Sequence, residues 1–213
     1  MYKHPNLDRK NILSREALNV LIKGNRRFVN NVKRQHDMLN VRDEIKDKQH
    51  PFASILGCSD SRTTVELVFD QNLGDIFSVR LAGNIASGEA IGSLEFSCKY
   101  LGSKIIVVMG HTYCGAIKAA CDHYQGGNIG DIIKLIDPAV ESEKTIQDPD
   151  RHSKNELFVD KVCFLNVQEQ MDRILSCSSI IKDLLKSKEI GLIGAVYNLS
   201  TGIVEFDKES AFF

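Results

Sequence analysis

The run Lys104 to Met109, Lys-Ile-Ile-Val-Val-Met, is apolar at five consecutive positions and rich in β-branched residues. Alternation would leave one face for water; a continuous run is a strand covered on both faces, the signature of a parallel sheet between helices. The chain around it repeats that logic. Phe52 to Gly57 reads as a short buried strand, Thr63 to Phe69 as helical, and Asp75 to Arg80 as a second strand followed by the loop Gly83 to Gly88. Glu89 to Tyr100 then reads as a helix, with Ile91, Leu94, Glu95 and Cys98 on one side, and Gly115 to His123 as a helix of small residues stopped by Gly126-Gly127. Helical stretches follow at about Ile129 to Glu143 and Asn155 to Leu175, separated by a polar loop with Asp148-Pro149-Asp150. Ile190 to Tyr197 and Gly202 to Phe206 are strands separated only by Asn198 to Thr201, a spacing that predicts an antiparallel hairpin at the sheet edge. The expected fold class is α/β: a mainly parallel central sheet with an antiparallel edge hairpin strand, helices on both faces and an N-terminal helical arm.

The arm begins at Ser14, read as an N-cap, and carries Leu18, Leu21, Ile22, Phe28, Val29 and Val32 at helical spacing, with Asn25 interrupting the stripe. Such a helix either covers its own core or reaches onto a partner subunit. With 213 residues, no internal repeat, no low-complexity segment and no linker, one domain is expected over 1–213, an arm at 1–50 and an α/β core at 51–213.

Composition narrows the partners. A formal net charge of -1 creates no field for nucleic acid or a membrane surface, and the basic stretch Lys23 to Arg34 reads as the solvated face of a helix. Met1-Tyr2-Lys3-His4-Pro5 lacks a signal-peptide core, and Ile105 to Met109 is too short to cross a bilayer. Six cysteines (58, 98, 114, 121, 163 and 177) lack the dense spacing of a disulfide framework, which favours reduced thiols, metal ligation and a cytoplasmic location.

Two of these cysteines sit where chemistry is expected. Cys58 follows the first strand directly, and His111 and Cys114 follow the Lys104 to Met109 strand, so all three lie past C-terminal strand ends, where open α/β sheets bind ligands. If the two strands are neighbours, the three side chains converge. Two thiolates and an imidazole suit zinc, leaving one tetrahedral position for water. A fourth protein ligand, Asp60 or another cysteine, would instead close the site. Cys-Ser-Asp-Ser-Arg places Asp60 and Arg62 beside the metal, where the carboxylate either binds it or accepts from its water while the guanidinium fork holds the carboxylate. Two anionic ligands make zinc a weaker Lewis acid than three histidines would, so activity is expected to rise toward alkaline pH. A cysteine-phosphatase loop, C-x5-R, is excluded because Arg62 falls two residues too soon, and the H-x-E and P-C-x-x-C pair of zinc deaminases is missing.

In order and spacing, Cys58-x-Asp60-x-Arg62, Gly74-Asp75, Arg80-x-Ala82-Gly83-Asn84, Ser93-Leu94-Glu95-Phe96 and Gly110-His111-x-x-Cys114-Gly115 resemble the β-class carbonic anhydrases. The resemblance implies reversible hydration of carbon dioxide to bicarbonate and a proton, one zinc per chain on Cys58, His111 and Cys114, and an Asp60–Arg62 dyad in which Asp60 holds the attacking hydroxide. In relatives that close at lower pH the equivalent aspartate coordinates zinc, so Asp60 is also a possible fourth ligand. Gln49 matches a glutamine that donates to substrate, Phe77, Ala82 and Phe96 match the carbon dioxide pocket, and Gly115 would offer its backbone N–H. Several of these come from a neighbouring subunit in the family, which implies a homodimer or homotetramer. Leu81 replaces the asparagine common after that arginine, and Ile55 stands where members with a non-catalytic bicarbonate site carry tryptophan. His36, His50, His123 and His152 are candidate proton shuttles only because histidine titrates near neutral pH. Two alternatives share these ligands: a carbon disulfide hydrolase-like relative and a non-catalytic zinc-binding protein with a closed site.

Overall fold

The computed structural model describes residues 11–34 and 38–213; the first ten residues of the expected arm and His36 lie outside them. Along the chain run α1 (Ser14–Val29), α2 (Met38–Ile45), β1 (Ala53–Gly57), α3 (Val65–Val68), β2 (Ile76–Arg80) and α4 (Gly88–Phe96). They are followed by β3 (Ile105–His111), α5 (Gly115–Cys121), α6 (Gly127–Ile133) and α7 (Asp137–Ser142), then α8 (Glu156–Cys177), α9 (Ser179–Lys186), β4 (Gly191–Tyr197) and β5 (Val204–Phe212). The sheet order is β2-β1-β3-β4-β5, parallel except for the β4–β5 pair at one edge. That is the expected α/β fold, with β3 at its centre.

The continuous apolar run in β3 is explained by its surroundings. Ile105, Val107 and Met109 share a core with Leu18 and Leu21 of α1, Phe69 after α3, and Ile193 of β4. Ile106 and Val108 face the other way, against Leu94 of α4, Val167, Met171 and Ile174 of α8, and Ile181 and Leu184 of α9. A third core sits beyond the C-terminal strand ends, where Cys58 and Cys114 meet Ile117, Ile133, Ile136, Phe158 and Val162. Helix α1 therefore covers its own sheet.

Several local expectations change. Ser14 is the first helical residue rather than the cap: Leu13 is extended, and its backbone N–H donates to the Glu16 carboxylate at 2.9 Å, because the acidic side chain three residues on reaches back to a donor the helix leaves open. Asn25 does not interrupt the buried stripe but belongs to it. Its amide donates to the carbonyls of Val68 and Gly202, and its Oδ1 accepts from the N–H of Val204. The stretch expected as one helix from Ile129 to Glu143 is two, α6 and α7. Pro138 lacks an N–H and clashes with the carbonyl four residues back, so it is tolerated only in the first turn of a new helix. The Glu89 to Tyr100 helix becomes α4 followed by a π turn, Ser97–Leu101, stopped by left-handed Gly102. Strand β5 runs six residues past Phe206, and α2 and α9 are additional.

Candidate metal centre

Strands β1 and β3 pair with Gly57 opposite Met109, so Cys58 and the end of β3 emerge side by side. His111 closes β3, and Tyr113, at φ 58, turns the chain so that Cys114 comes back to cap α5. The donor atoms of Cys58, His111 and Cys114 all lie within 4.8 Å of one another, and all three residues are buried. The two Sγ atoms are 3.9 Å apart. Two sulfurs bonded at about 2.3 Å to a tetrahedral ion would be separated by about 3.8 Å. Nδ1 of His111 is 2.9 Å from the carbonyl oxygen of Thr112, which fixes the proton there and leaves the buried Nε2 as a lone pair without a protein partner. The donor set thus fits a zinc ion.

The surrounding hydrogen bonds prepare the sulfurs for it. Cys58 Sγ accepts from the backbone N–H of Asp60 and of Gly83, each at 3.4 Å. Between the two thiols Cys58 is the stronger acid, because the Cys114 thiol donates to it and this outweighs burial, while Cys114 is pushed up by the same neighbour and by burial. The two opposite shifts describe one shared proton, which a dication would displace.

Asp60 stands beside the triad, outside it. Arg62 grips it with Nε to Oδ1 at 2.9 Å and Nη2 to Oδ2 at 2.7 Å, and the Arg62 N–H adds a third bond to Oδ1 at 2.9 Å. This fork holds the carboxyl well below the usual carboxylate range. The loop beneath is pinned as tightly. Arg80 donates to the carbonyls of Cys58 at 2.9 Å and Asp60 at 2.6 Å, and the Thr63 hydroxyl bonds to the same two carbonyls. Sequence reasoning quoted Arg80 without a role and passed over Thr63, although a threonine hydroxyl commonly bonds back to a carbonyl three residues earlier, as here to Asp60.

A third cysteine does not complete the set. Cys163, on α8, donates its S–H to the carbonyl of His111 at 3.3 Å, and among the described residues only three donors converge. The remaining site residues from the sequence reading lie outside the triad. Phe77 is level with Ser54, three residues before the β1 end that carries Cys58, roughly 10 Å back along the strand. Its ring packs 6.5 Å from that of Phe96, which in turn lies 5.5 Å from Tyr100; Phe96 is 48% and Tyr100 76% exposed. Gln49 is exposed before β1, at the opposite end of that strand from Cys58, whereas exposed Gly115 follows Cys114 directly and half-buried Ala82 precedes the Gly83 whose N–H reaches Cys58. Ile55 is buried within β1, and Leu81 donates its N–H to the carbonyl of Gly57. Of the histidines, His50 is half-buried before β1, His123 is exposed at the end of α5, and His152 Nδ1 accepts from the N–H of Lys154.

The profile of the carbonic anhydrase family matches residues 53–204, which includes β1 through the start of β5 and every donor atom above. The chain belongs to the β-carbonic anhydrase family. It is a carbonic anhydrase-type enzyme by that membership. Carbonic anhydrase 2 of Mycobacterium tuberculosis is 33% identical over 87% of this chain and 89% of its own length. The carbonic anhydrase of Mycolicibacterium smegmatis is 31% identical over 77% and 78%. Among solved structures, a tetrameric β-carbonic anhydrase of Sordaria macrospora superposes with a TM-score of 0.70 at 22% identity, covering 82% of this chain and 90% of that one, a likeness of fold.

Proposed function

We propose that this β-carbonic anhydrase binds one zinc ion per chain and interconverts carbon dioxide and bicarbonate. The observation that carries the reading is the buried Cys58–His111–Cys114 triad with an unpartnered Nε2 and a carboxylate locked beside it. When bound by these three residues, zinc would supply a Lewis acid that lowers the pKa of its water, less strongly than a three-histidine site would. The protein's share is orientation. Held this far below the usual range, ionised Asp60 is too weak a base to take a proton near neutral pH, so it acts as an acceptor, turning the attacking oxygen's lone pair toward the carbon. Arg62 keeps both carboxylate oxygens engaged and so opposes their swing onto the metal. One C–O bond forms as one C=O π bond of carbon dioxide opens onto its oxygen, and the proton given up by the attacking water leaves to solvent.

Phe77, Phe96, Ala82, Gln49 and Gly115 then form the substrate pocket across subunits. Gln49 and the Phe77–Phe96 pair lie too far along the sheet to reach the triad of their own chain, so a second copy delivers them. The tetrameric relative from Sordaria macrospora supports a homodimer or homotetramer. The chain works as one catalytic domain, and its free cysteines fit a reducing, cytoplasmic setting. No described helix is long and apolar enough to cross a membrane.

Stopped-flow hydration of carbon dioxide, read across pH with metal analysis, tests the proposal. About one zinc per chain and a rate that climbs toward alkaline pH are expected. Asp60→Asn should keep the metal and lose roughly 10²-fold in turnover as orientation is lost, whereas Cys114→Ser should lose both. A metal-replete wild type without turnover would sink the reading.

A further inference from the structure

Helix α8 carries a polar stripe of buried Asn166 and Gln170 and half-buried Arg173, on a face otherwise made of Val162, Val167, Met171 and Ile174. Polar groups in a core are costly unless every one is bonded, and here the partners belong to the loop after β2, to one another and, at one bond, to Leu135 between α6 and α7. Asn166 Nδ2 donates to the carbonyl of Gly83 at 2.9 Å. Gln170 Oε1 accepts from the N–H of Ala86 at 2.8 Å, and its Nε2 donates to Asn166 Oδ1 at 3.0 Å and to the carbonyl of Leu135 at 2.8 Å. Arg173 Nε donates to the carbonyl of Ala86 at 2.8 Å.

What the stripe holds is the peptide next to the one whose N–H reaches Cys58: Asn166 bonds the Gly83–Asn84 carbonyl, and the Cα of Gly83 joins that peptide to the Ala82–Gly83 N–H. Gly83 stands at φ 69, and a Cβ there would come within 2.6 Å of Ile136 Cδ1, so glycine alone permits the turn. Its carbonyl is tied back to Asn166 while its N–H points at the sulfur. We propose that Asn166, braced by Gln170, is a positioning residue of the metal centre, setting the Gly83 N–H···S hydrogen bond that tunes Cys58 as a ligand. Hydrogen bonds to a ligating atom commonly govern a site as strongly as the ligands' own placement.

The inference rests on the zinc reading above, and its test separates the two. Cobalt(II) is loaded into the full-length protein and the sulfur-to-cobalt charge-transfer band is recorded, together with hydrogen exchange at the Gly83 amide in the metal-free chain. A hydrogen bond lowers the energy of a thiolate lone pair, so Asn166→Leu should move the band to longer wavelength and speed Gly83 exchange on the order of tenfold. Asn155→Ala removes the α8 N-cap, which accepts from the N–H of Phe158, and serves as the purely structural control. It should lower Tm and leave band and exchange alone. If Asn166→Leu does not fold, Gln170→Met should move both readouts in the same direction by a smaller amount. Unchanged readouts in folded variants, or equal changes in Asn155→Ala, overturn the proposal. Failure of the wild type to take up cobalt sinks the metal reading, and Gly83 exchange then decides the positioning role by itself.

Discussion

Asp60 owes its acidity to a neighbour two positions away, and this has a consequence for stability. A carboxyl whose folded pKa lies below its unfolded value of about 3.9 contributes in full above that value and loses the contribution as pH falls below it. The wild type should therefore lose stability through this group below about pH 4, and Arg62→Ala should lessen that acid-side loss. Urea midpoints measured from pH 5 down to pH 2 for the two proteins would check it. The clamp was legible because both partners lie in one five-residue motif whose spacing allows a side chain to fold back on its neighbour. The same holds for the triad once two strands are taken as neighbours. Gly83 and Asn166 left no such trace: their bond joins residues 83 apart, and an asparagine in a helix reads as surface until the fold shows it buried. The positions of Gln49, Phe77 and Phe96 were readable only as a likeness, since nothing local to them points toward a metal.

Elements pack here with little slack, most visibly where α1 crosses α3. A Cβ on Gly24 would fall 1.8 Å from the carbonyl oxygen of Phe69, a backbone atom that cannot step aside. Gly24→Ala must push the helices apart and should cost at least about 3 kcal/mol, seen as a lower urea midpoint at unchanged slope. Next to it, Asn25→Ala would strip hydrogen bonds from Val68, Gly202 and Val204 at once, loosening the turn that starts β5; a loss of about 2–3 kcal/mol is expected in the same assay. Strand and helix order followed from hydrophobic period, because β3 needs cover on both sides and the helices supply it. The boundaries that escaped had specific causes. Pro138 could be read either as a break or as a first turn, and α9 follows α8 after a single extended residue, Ser178, whose hydroxyl caps it by accepting from Ile181. Asn25 was misjudged since an amide in an apolar stripe looks like a flaw until its three partners are located.

At the scale of the molecule the two sheet edges differ. Strand β5 closes one side, while β2 leaves the other beside an aromatic strip of Phe77, Phe96 and Tyr100, with Leu67 and Leu73 also exposed. An apolar surface next to an uncovered strand is the kind that association buries. Tyr100→Glu should shift the sedimentation mass toward the single chain and lower turnover per chain with it; full activity from a monomer would refute the shared pocket. The triad, by contrast, hangs from the middle of the sheet, on strands held by partners on both flanks. An ion bound there would lean on loops rooted in the best-held part of the sheet, so those roots stay put while the loop tips move. Its exchange with a chelator would then report on loop opening, at a rate that tracks Arg80 and Thr63 rather than global unfolding.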